Sequence, residues 1–254
     1  MTSVELEGPS RPLQGMFLDK LRVASSTRRY ADVPSLQEVA AEPEAIELEA
    51  ACVYFDVRKS SVIANVVGRQ AAARLLGALV QGAALIAEQY GGRVCDMHGD
   101  AALIILAGDR RADRAVQVAI RIRRYLVDSL RPTLSQLLRR TNRPRSEELV
   151  FDAGIGVDIG RMYVLRVETA GMTGAIWQGR CTNTAAKLAN DTGSPCTVII
   201  TKEVFDALSP ELRVNERAEL LWTTEAELRV AGAARRVCSL VDLGPAGPDG
   251  CRPL

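Results

Sequence analysis

Two aspartates stand where acid chemistry can be done. Asp56 closes the apolar run 51–56 and precedes Val57-Arg58-Lys59-Ser60-Ser61 and a helical pattern. A strand end that runs into a helix N-terminus binds phosphate, because free backbone N–H groups and the helix dipole face the ligand. Arg58, Lys59, Ser60 and Ser61 are therefore candidate phosphate contacts. Asp100 follows Gly99 in what reads as a hairpin turn. Two carboxylates at strand edges suit Mg²⁺, which takes few protein oxygens and lets phosphates supply the rest. Taken singly, such an Asp is more often a helix cap or a turn residue.

A second pair is Asn183 and Lys187, four apart in Asn-Thr-Ala-Ala-Lys. On a helix they share one face. An amide and a cation presented together suit charge developing on phosphate; without context, a cap and a solvated lysine are commoner. Residues 154–160, Gly-Ile-Gly-Val-Asp-Ile-Gly, lack the spacing of a dinucleotide fingerprint and no helix follows. They read as a glycine-rich strand and turn.

These residues need elements to position them. Residues 51–56 read as a strand by length and by Val, Tyr and Phe content. Residues 61–90 read as one helix stopped by Gly91-Gly92. Residues 93–94 and 101–106 flank Gly99-Asp100 as a hairpin. An Arg-rich helix over 112–138, a polar loop over 141–148, and strands over 149–158 and 162–167 around Gly160 follow. A helix over 183–189, a strand over 197–200, a short helix from Lys202, and strands at 220–222 and 236–241 close the chain. The order β-α-ββ-α-ββ-α-β predicts an α+β domain, a mixed sheet with helices on one side. Residues 1–47 read as an N-terminal extension with a short helix near 13–23. Residues 48–244 form the domain, and 245–254 a loose Pro/Gly-rich tail.

Composition sets bounds. Apolar residues at 47% of 254 suffice for a core without staples. A net charge of +1 supplies no global field toward nucleic acid or membrane. Cys52, Cys95, Cys181, Cys196, Cys238 and Cys251 include no CxxC, and His98 is the one histidine, which argues against zinc. The cysteines read as small core residues in a reducing compartment. No apolar stretch reaches the roughly 20 residues that span a bilayer, and the N-terminus lacks signal-peptide character. A cytoplasmic protein is expected. The arginines between Arg110 and Arg145 lack interleaved aromatics and read as a solvated face, not a nucleic-acid surface. Trp177 and Trp222 read as packing, and His98 as a hairpin side chain.

In order and spacing, these motifs resemble the class III nucleotide cyclases, the adenylate and guanylate cyclase family. VYFDVRKSS is similar to that family's first metal strand, and GGRVCDMHGDAALIIL to its Gly-Asp hairpin. FDAGIGVDIGRMYV is similar to its glycine-rich strand pair, and GRCTNTAAKLA to its Asn-x-x-x-Arg helix. The resemblance covers about residues 50–208. It implies a ferredoxin-like class III cyclase catalytic domain with a mixed/antiparallel sheet and helices packed on it. It implies two divalent metal ions, Mg²⁺ or Mn²⁺, held by Asp56, Asp100 and the carbonyl of Val57. It implies a homodimer with sites at the interface, in which the other subunit's Asn183 and Lys187 orient the ribose and stabilise the transition state.

Departures from the family pattern bear on the base. Lys187 stands where the family usually has Arg. Asp96 occupies the position, four before Asp100, of the Lys that reads adenine. Ile176 occupies that of the partner acid, seven before Asn183. Tyr54 replaces a usual Phe, and His98 sits near the base pocket so defined. Ala233 replaces a Lys that grips the terminal phosphate, with Arg235 or Arg236 the expected substitute. With the short N-terminal extension and no sensor domain, this combination resembles the pyrimidine cyclases of the Pycsar antiphage systems. The product would then be read by a separate effector. Asp96 accepts from uracil N3–H, whereas cytosine N3 is itself an acceptor, so UTP is expected ahead of CTP. The alternatives are a cytidylate cyclase, a purine cyclase with a rewired pocket, and a degenerate cyclase-like binding module.

Overall fold

A computed structural model describes residues 23–25, 32–41, 45–140, 149–169, 172–190, 198–214, 221–222, 226–230 and 233–240. The expected helix near 13–23 lies outside these residues save for Val23, which begins a strand, and the tail and the 141–148 loop lie outside them too.

The sheet is organised on two long antiparallel strands. β1 (Val23–Ser25) pairs parallel with the start of β2 (Ala45–Val57), and α1 (Leu36–Ala41) lies between them in sequence. β2 pairs with β5 (Ala153–Thr169) from Ala45↔Leu165 to Val57↔Ala153. β5 is one strand of 17 residues. The turn expected at Gly160 does not form, because Gly160 pairs in register with Ala50. On the other edge of β2 lies β4 (Ala101–Ala107), hairpinned to β3 (Gly92–His98). β6 (Met172–Gly179) folds back on β5; it had no counterpart among the expected elements. β7 (Val198–Thr201) lies parallel to β5, followed by β9 (Ala233–Ser239) and β8 (Ala226–Val230). The main order is β3-β4-β2-β5-β7-β9-β8. This is the expected α+β, mixed sheet.

The helix expected over 61–90 is two helices. Gly68, at φ 88°, separates α2 (Ser60–Val67) from α3 (Arg69–Gln89). The Arg-rich helix is also divided. α4 (Arg111–Tyr125) passes through a π-turn, Leu126–Leu130, into α5 (Arg131–Arg140). Pro132 follows that turn; without an N–H it cannot continue the ordinary ladder. Several arginines in this region tie elements together. Arg111 bonds Glu49 at 2.9 Å, and Arg114 donates to the carbonyls of Tyr90 and Ala107.

Helices cover both faces, not one. Leu75 and Leu79 of α3 and Val116 and Ile120 of α4 pack with Val53, Phe55, Ile104 and Ile155 on one face. On the other, Val39 of α1 and Cys181 and Ala185 of α6 (Arg180–Asn190) pack with Leu48, Cys52, Ile105 and Val164. Val33 and Val39 are buried here, so the segment before residue 48 contributes to the core, and β2 itself starts at Ala45. α3 is, by length and composition, apolar enough to cross a membrane, which the sequence reading did not find. Its buried stripe Ala72, Leu75, Leu79, Ala83 and Ala87 faces the core instead. Trp177 and Trp222 are buried, as expected of packing residues, and Trp222 Nε1 donates to the Leu212 carbonyl at 2.8 Å. Cys52, Cys95 and Cys181 are free thiols.

Candidate active site

The acid pair forms where two strands end together. Antiparallel pairing sets Asp56 opposite Ala101, beside Asp100 in the β3–β4 turn. Gly99, at φ 62°, makes that turn, and Val57 N–H donates to the Asp100 carbonyl at 3.3 Å. The Asp56 carboxyl is pushed above the usual carboxylate range, first by burial and then by the Asp100 charge, with Arg58 opposing. An acid whose protonation is raised by a neighbouring carboxylate is relieved by a cation between the two. Among the described residues no cluster of three or more His, Cys, Asp or Glu could hold a metal alone. A cation at Asp56 and Asp100 therefore needs further oxygens, which a polyphosphate supplies.

Lys59 follows in the left-handed region (φ 53°) and starts α2 without a side-chain cap. The first turn at Ser60 and Ser61 thus has no competing side-chain acceptor from its cap, as an anion site requires. Arg58 is drawn partly inward. Its N–H donates to the Asp152 carbonyl at 2.8 Å, and its Nε lies 3.9 Å from the Asp152 carboxylate. Asp152 also receives Arg131 at 3.2 Å. Arg58 Nη2 is buried without a hydrogen-bond partner.

A cleft of about 390 Å³ opens on the α6 face and gathers Tyr54, Asp96, His98, Ile176 and Asn183, with Trp177 and Gln178 also lining it. A β-bulge makes this possible. β3 slips register between Val94 and Asp96, so Asp96 pairs with Leu103 and His98 with Ala101. Leu103 belongs to the α6-side core, so the bulge at Cys95 aims Asp96 and His98 at that face; bulges commonly re-aim side chains in this way. The Asp96 carboxylate is held by Met97 N–H at 2.8 Å on one oxygen and by His98 Nε2 at 2.8 Å on the other. The Tyr54 hydroxyl is raised, first by burial and then by Asp56, Asp96 and Asp100. It stays protonated and is a donor.

Glycine seats the helix that carries the second pair. A Cβ at Gly156 would lie 2.1 Å from the Ala185 carbonyl oxygen and 2.7 Å from Leu188 Cβ. Only glycine lets α6 lie this close to β5. Thr182 Oγ1 donates to the Gly179 carbonyl at 2.7 Å in the first turn. Asn183 and Lys187 are both exposed, one turn apart on one face.

Tyr54, Asp96, Ile176 and Asn183 are thus brought into one cleft. Asp56 and Asp100 form a separate pair and do not line it, nor does Lys187. Arg235 is engaged elsewhere, 3.6 Å from Glu203. His98, expected as a hairpin side chain near the base pocket, lines the cleft, and Gln178 lines it without having been singled out. For His98 the signal was available: residues i and i+2 of a strand share a face, so His98 follows Asp96.

This is the class III nucleotide cyclase fold. The adenylyl cyclase CyaB from P. aeruginosa superimposes with a TM-score of 0.62 at 18% identity, over 81% of this chain and 100% of that one. No family model matches the sequence. Among curated proteins, a uridylate cyclase of Rhodovulum sp. (strain MB263) is 26% identical over 179 residues, 70% of this chain and 73% of that protein. A second uridylate cyclase, from Xanthomonas perforans, is 25% identical over a stretch of the same length.

Proposed function

We propose that this protein is a pyrimidine nucleotide cyclase that converts UTP to 3′,5′-cyclic UMP and pyrophosphate. The observation that carries the reading is the cleft that Asp96, where an adenine-reading cation would stand, lines together with Asn183 and Ile176. Likeness to two uridylate cyclases supports it.

The 3′-hydroxyl oxygen attacks the α-phosphorus in line. The O3′–P bond forms, the bond to the β-phosphate oxygen breaks, and the hydroxyl proton passes to solvent as pyrophosphate leaves. Asp56, Asp100 and the Val57 carbonyl would hold two divalent cations, Mg²⁺ or Mn²⁺, which when bound neutralise the triphosphate and acidify the attacking hydroxyl. Asn183 and Lys187 act from a second copy in a homodimer: Asn183 orients the ribose, and Lys187 places a point charge on the reacting phosphate. Lysine lacks the fork of arginine, so this contact is ionic and not bidentate. Ser60 and Ser61 at the start of α2, with Lys59 and Arg58, cradle the phosphates, and Arg235 is the contact for the terminal one if it leaves Glu203. Residues 48–244 carry this machinery, with the buried part of the preceding segment built into it. We place the reaction in the cytoplasm, with cyclic UMP as a messenger read by a separate effector in antiphage defence.

The test is incubation of the purified chain with each of the four NTPs and Mg²⁺ or Mn²⁺, with products resolved by chromatography. Cyclic UMP is expected as the main product. Faster turnover of ATP or GTP than of UTP overturns the pyrimidine reading and leaves the cyclase reading standing; no cyclic product from any NTP overturns both.

A further inference from the structure

The cleft holds an imidazole to which neither the family resemblance nor the reaction gives a role. His98 is largely exposed, at 71% of its side chain, yet its Nε2 sits 2.8 Å from Asp96 Oδ2. Since a carboxylate only accepts, Nε2 carries the proton in this pair. The other oxygen, Oδ1, takes Met97 N–H at 2.8 Å. Each oxygen of an ionised carboxylate has two lone pairs. Each has spent one on the protein and keeps one for a ligand.

We propose that His98 is a positioning residue that fixes Asp96 as the acceptor for uracil N3–H and thereby sets the preference for UTP over CTP. The inference rests on the uridylate reading above. Asp96 is half-exposed, at 43% of its side chain, so packing alone does not hold it. Met97 N–H comes from the adjacent residue and restrains one oxygen; among the described residues only His98 restrains the second. A fixed acceptor rewards uracil, whose N3 donates, and penalises cytosine, whose N3 presents a lone pair to a carboxylate that cannot turn away. A site built to bond a donor rejects the analogue lacking it. Released from His98, Asp96 would turn to water. UTP would lose its partner and CTP its penalty, so the two substrates would move in opposite directions.

The test is the ratio of kcat/KM for UTP and CTP in His98→Ala, His98→Gln, Asp96→Ala and the double variant. Because both substrates are measured on one preparation, the ratio is unmoved by loss of folded enzyme. His98→Ala is expected to lower UTP kcat/KM about tenfold, chiefly through KM, the order of one charge-assisted hydrogen bond in a partly solvated site. CTP kcat/KM should hold or rise. His98→Gln, whose amide N–H reaches about as far as Nε2, should recover most of the ratio, and His98→Ala should add nothing to Asp96→Ala. Equal losses for UTP and CTP, a loss confined to kcat, or full additivity in the double variant would overturn the role of His98 while leaving UTP as substrate. A wild-type protein that favours CTP or a purine overturns the uridylate reading, and this inference with it.

Discussion

Substituting Gly156 with Ala tests how the site is assembled without touching a reacting group. In an open strand, Gly→Ala gains roughly 0.5–1 kcal/mol from lower chain entropy. Here the new Cβ would meet the Ala185 carbonyl oxygen at 2.1 Å and Ala189 N at 2.8 Å, both backbone atoms of α6 that no rotamer change can move. Reaching ordinary contact at 3.4 Å requires the helix to recede about 1.3 Å. Overpacking of this kind costs about 1–3 kcal/mol, a drop in Tm of several degrees at roughly 2–4 °C per kcal/mol. Asn183 and Lys187 flank Ala185 on the same helix and move with it. A displacement of about 1 Å at a catalytic group costs on the order of 100-fold in rate. Melting curves and steady-state rates with UTP read both effects. The control is Gly160→Ala, whose Cβ would lie 3.6 Å from Cys181 Cβ, an ordinary contact, and which should leave the rate unchanged and hold or slightly raise the Tm. Should Gly156→Ala keep its Tm and more than half its activity, α6 does not press on β5 as described.

Asp56→Ala and Asp100→Ala should each abolish turnover, at least a few kcal/mol of transition-state stabilisation, with dimers intact by sizing chromatography; more than a few per cent residual rate with Mg²⁺ or Mn²⁺ refutes the shared cation site. Mixing inactive Asp56→Ala with inactive Lys187→Ala should restore activity through one intact interfacial site, whereas mixing Asn183→Ala with Lys187→Ala should not; no rescue in the first mixture, with subunit exchange confirmed, refutes the two-copy site. Asp158 is buried, receives Thr201 Oγ1 at 2.7 Å, and has its carboxyl raised chiefly by that burial. A carboxyl raised on folding costs stability above its ordinary value of 3.8 and costs nothing below it. Asp158→Asn keeps the oxygen that accepts and cannot ionise, so its Tm should gain on the wild type as pH rises from the acid range to neutrality; a constant difference across that range refutes the assignment.

Much of this site was legible because its parts are local. The Asp56 strand end, the Gly99-Asp100 turn and the Asn183–Lys187 spacing each depend on a few neighbouring residues and reappear in the fold. What escaped the sequence depends on partners far along the chain. One helix was expected over 61–90 because Ala and Leu content conceals Gly68, whose effect comes from its positive φ. A turn was expected at Gly160 because glycine marks turns; pairing with Ala50 and the rest of β2 overrides that preference. The glycines of 154–160 look alike in sequence. Gly156 is distinguished from Gly160 only by where α6 lands, a tertiary fact. β6 was invisible because Met-Thr-Gly-Ala-Ile-Trp-Gln-Gly lacks clean alternation and carries two glycines.

The charge around the cleft bears on the second copy that the proposed mechanism invokes. Asp56, Asp96 and Asp100 all act on the Tyr54 hydroxyl in the same direction, and all three raise it. A nucleoside triphosphate approaching this region of a single protomer meets three carboxylates and a neutral phenol. Like charges a few ångströms apart repel strongly unless a cation intervenes. Near the acid pair, Arg58 is turned toward Asp152, and His98 is already committed to Asp96. On the proposed reading Lys59 supplies one positive charge from the same protomer, and the rest comes from cations bound between Asp56 and Asp100 and from Lys187 of a second copy. On this reading, metal and dimer are not separate requirements. Each would offset the acidity that Asp96, in the base-reading role proposed for it, adds to a site already built on two acids. Replacing a cation with Asp96 would therefore raise the dependence on both.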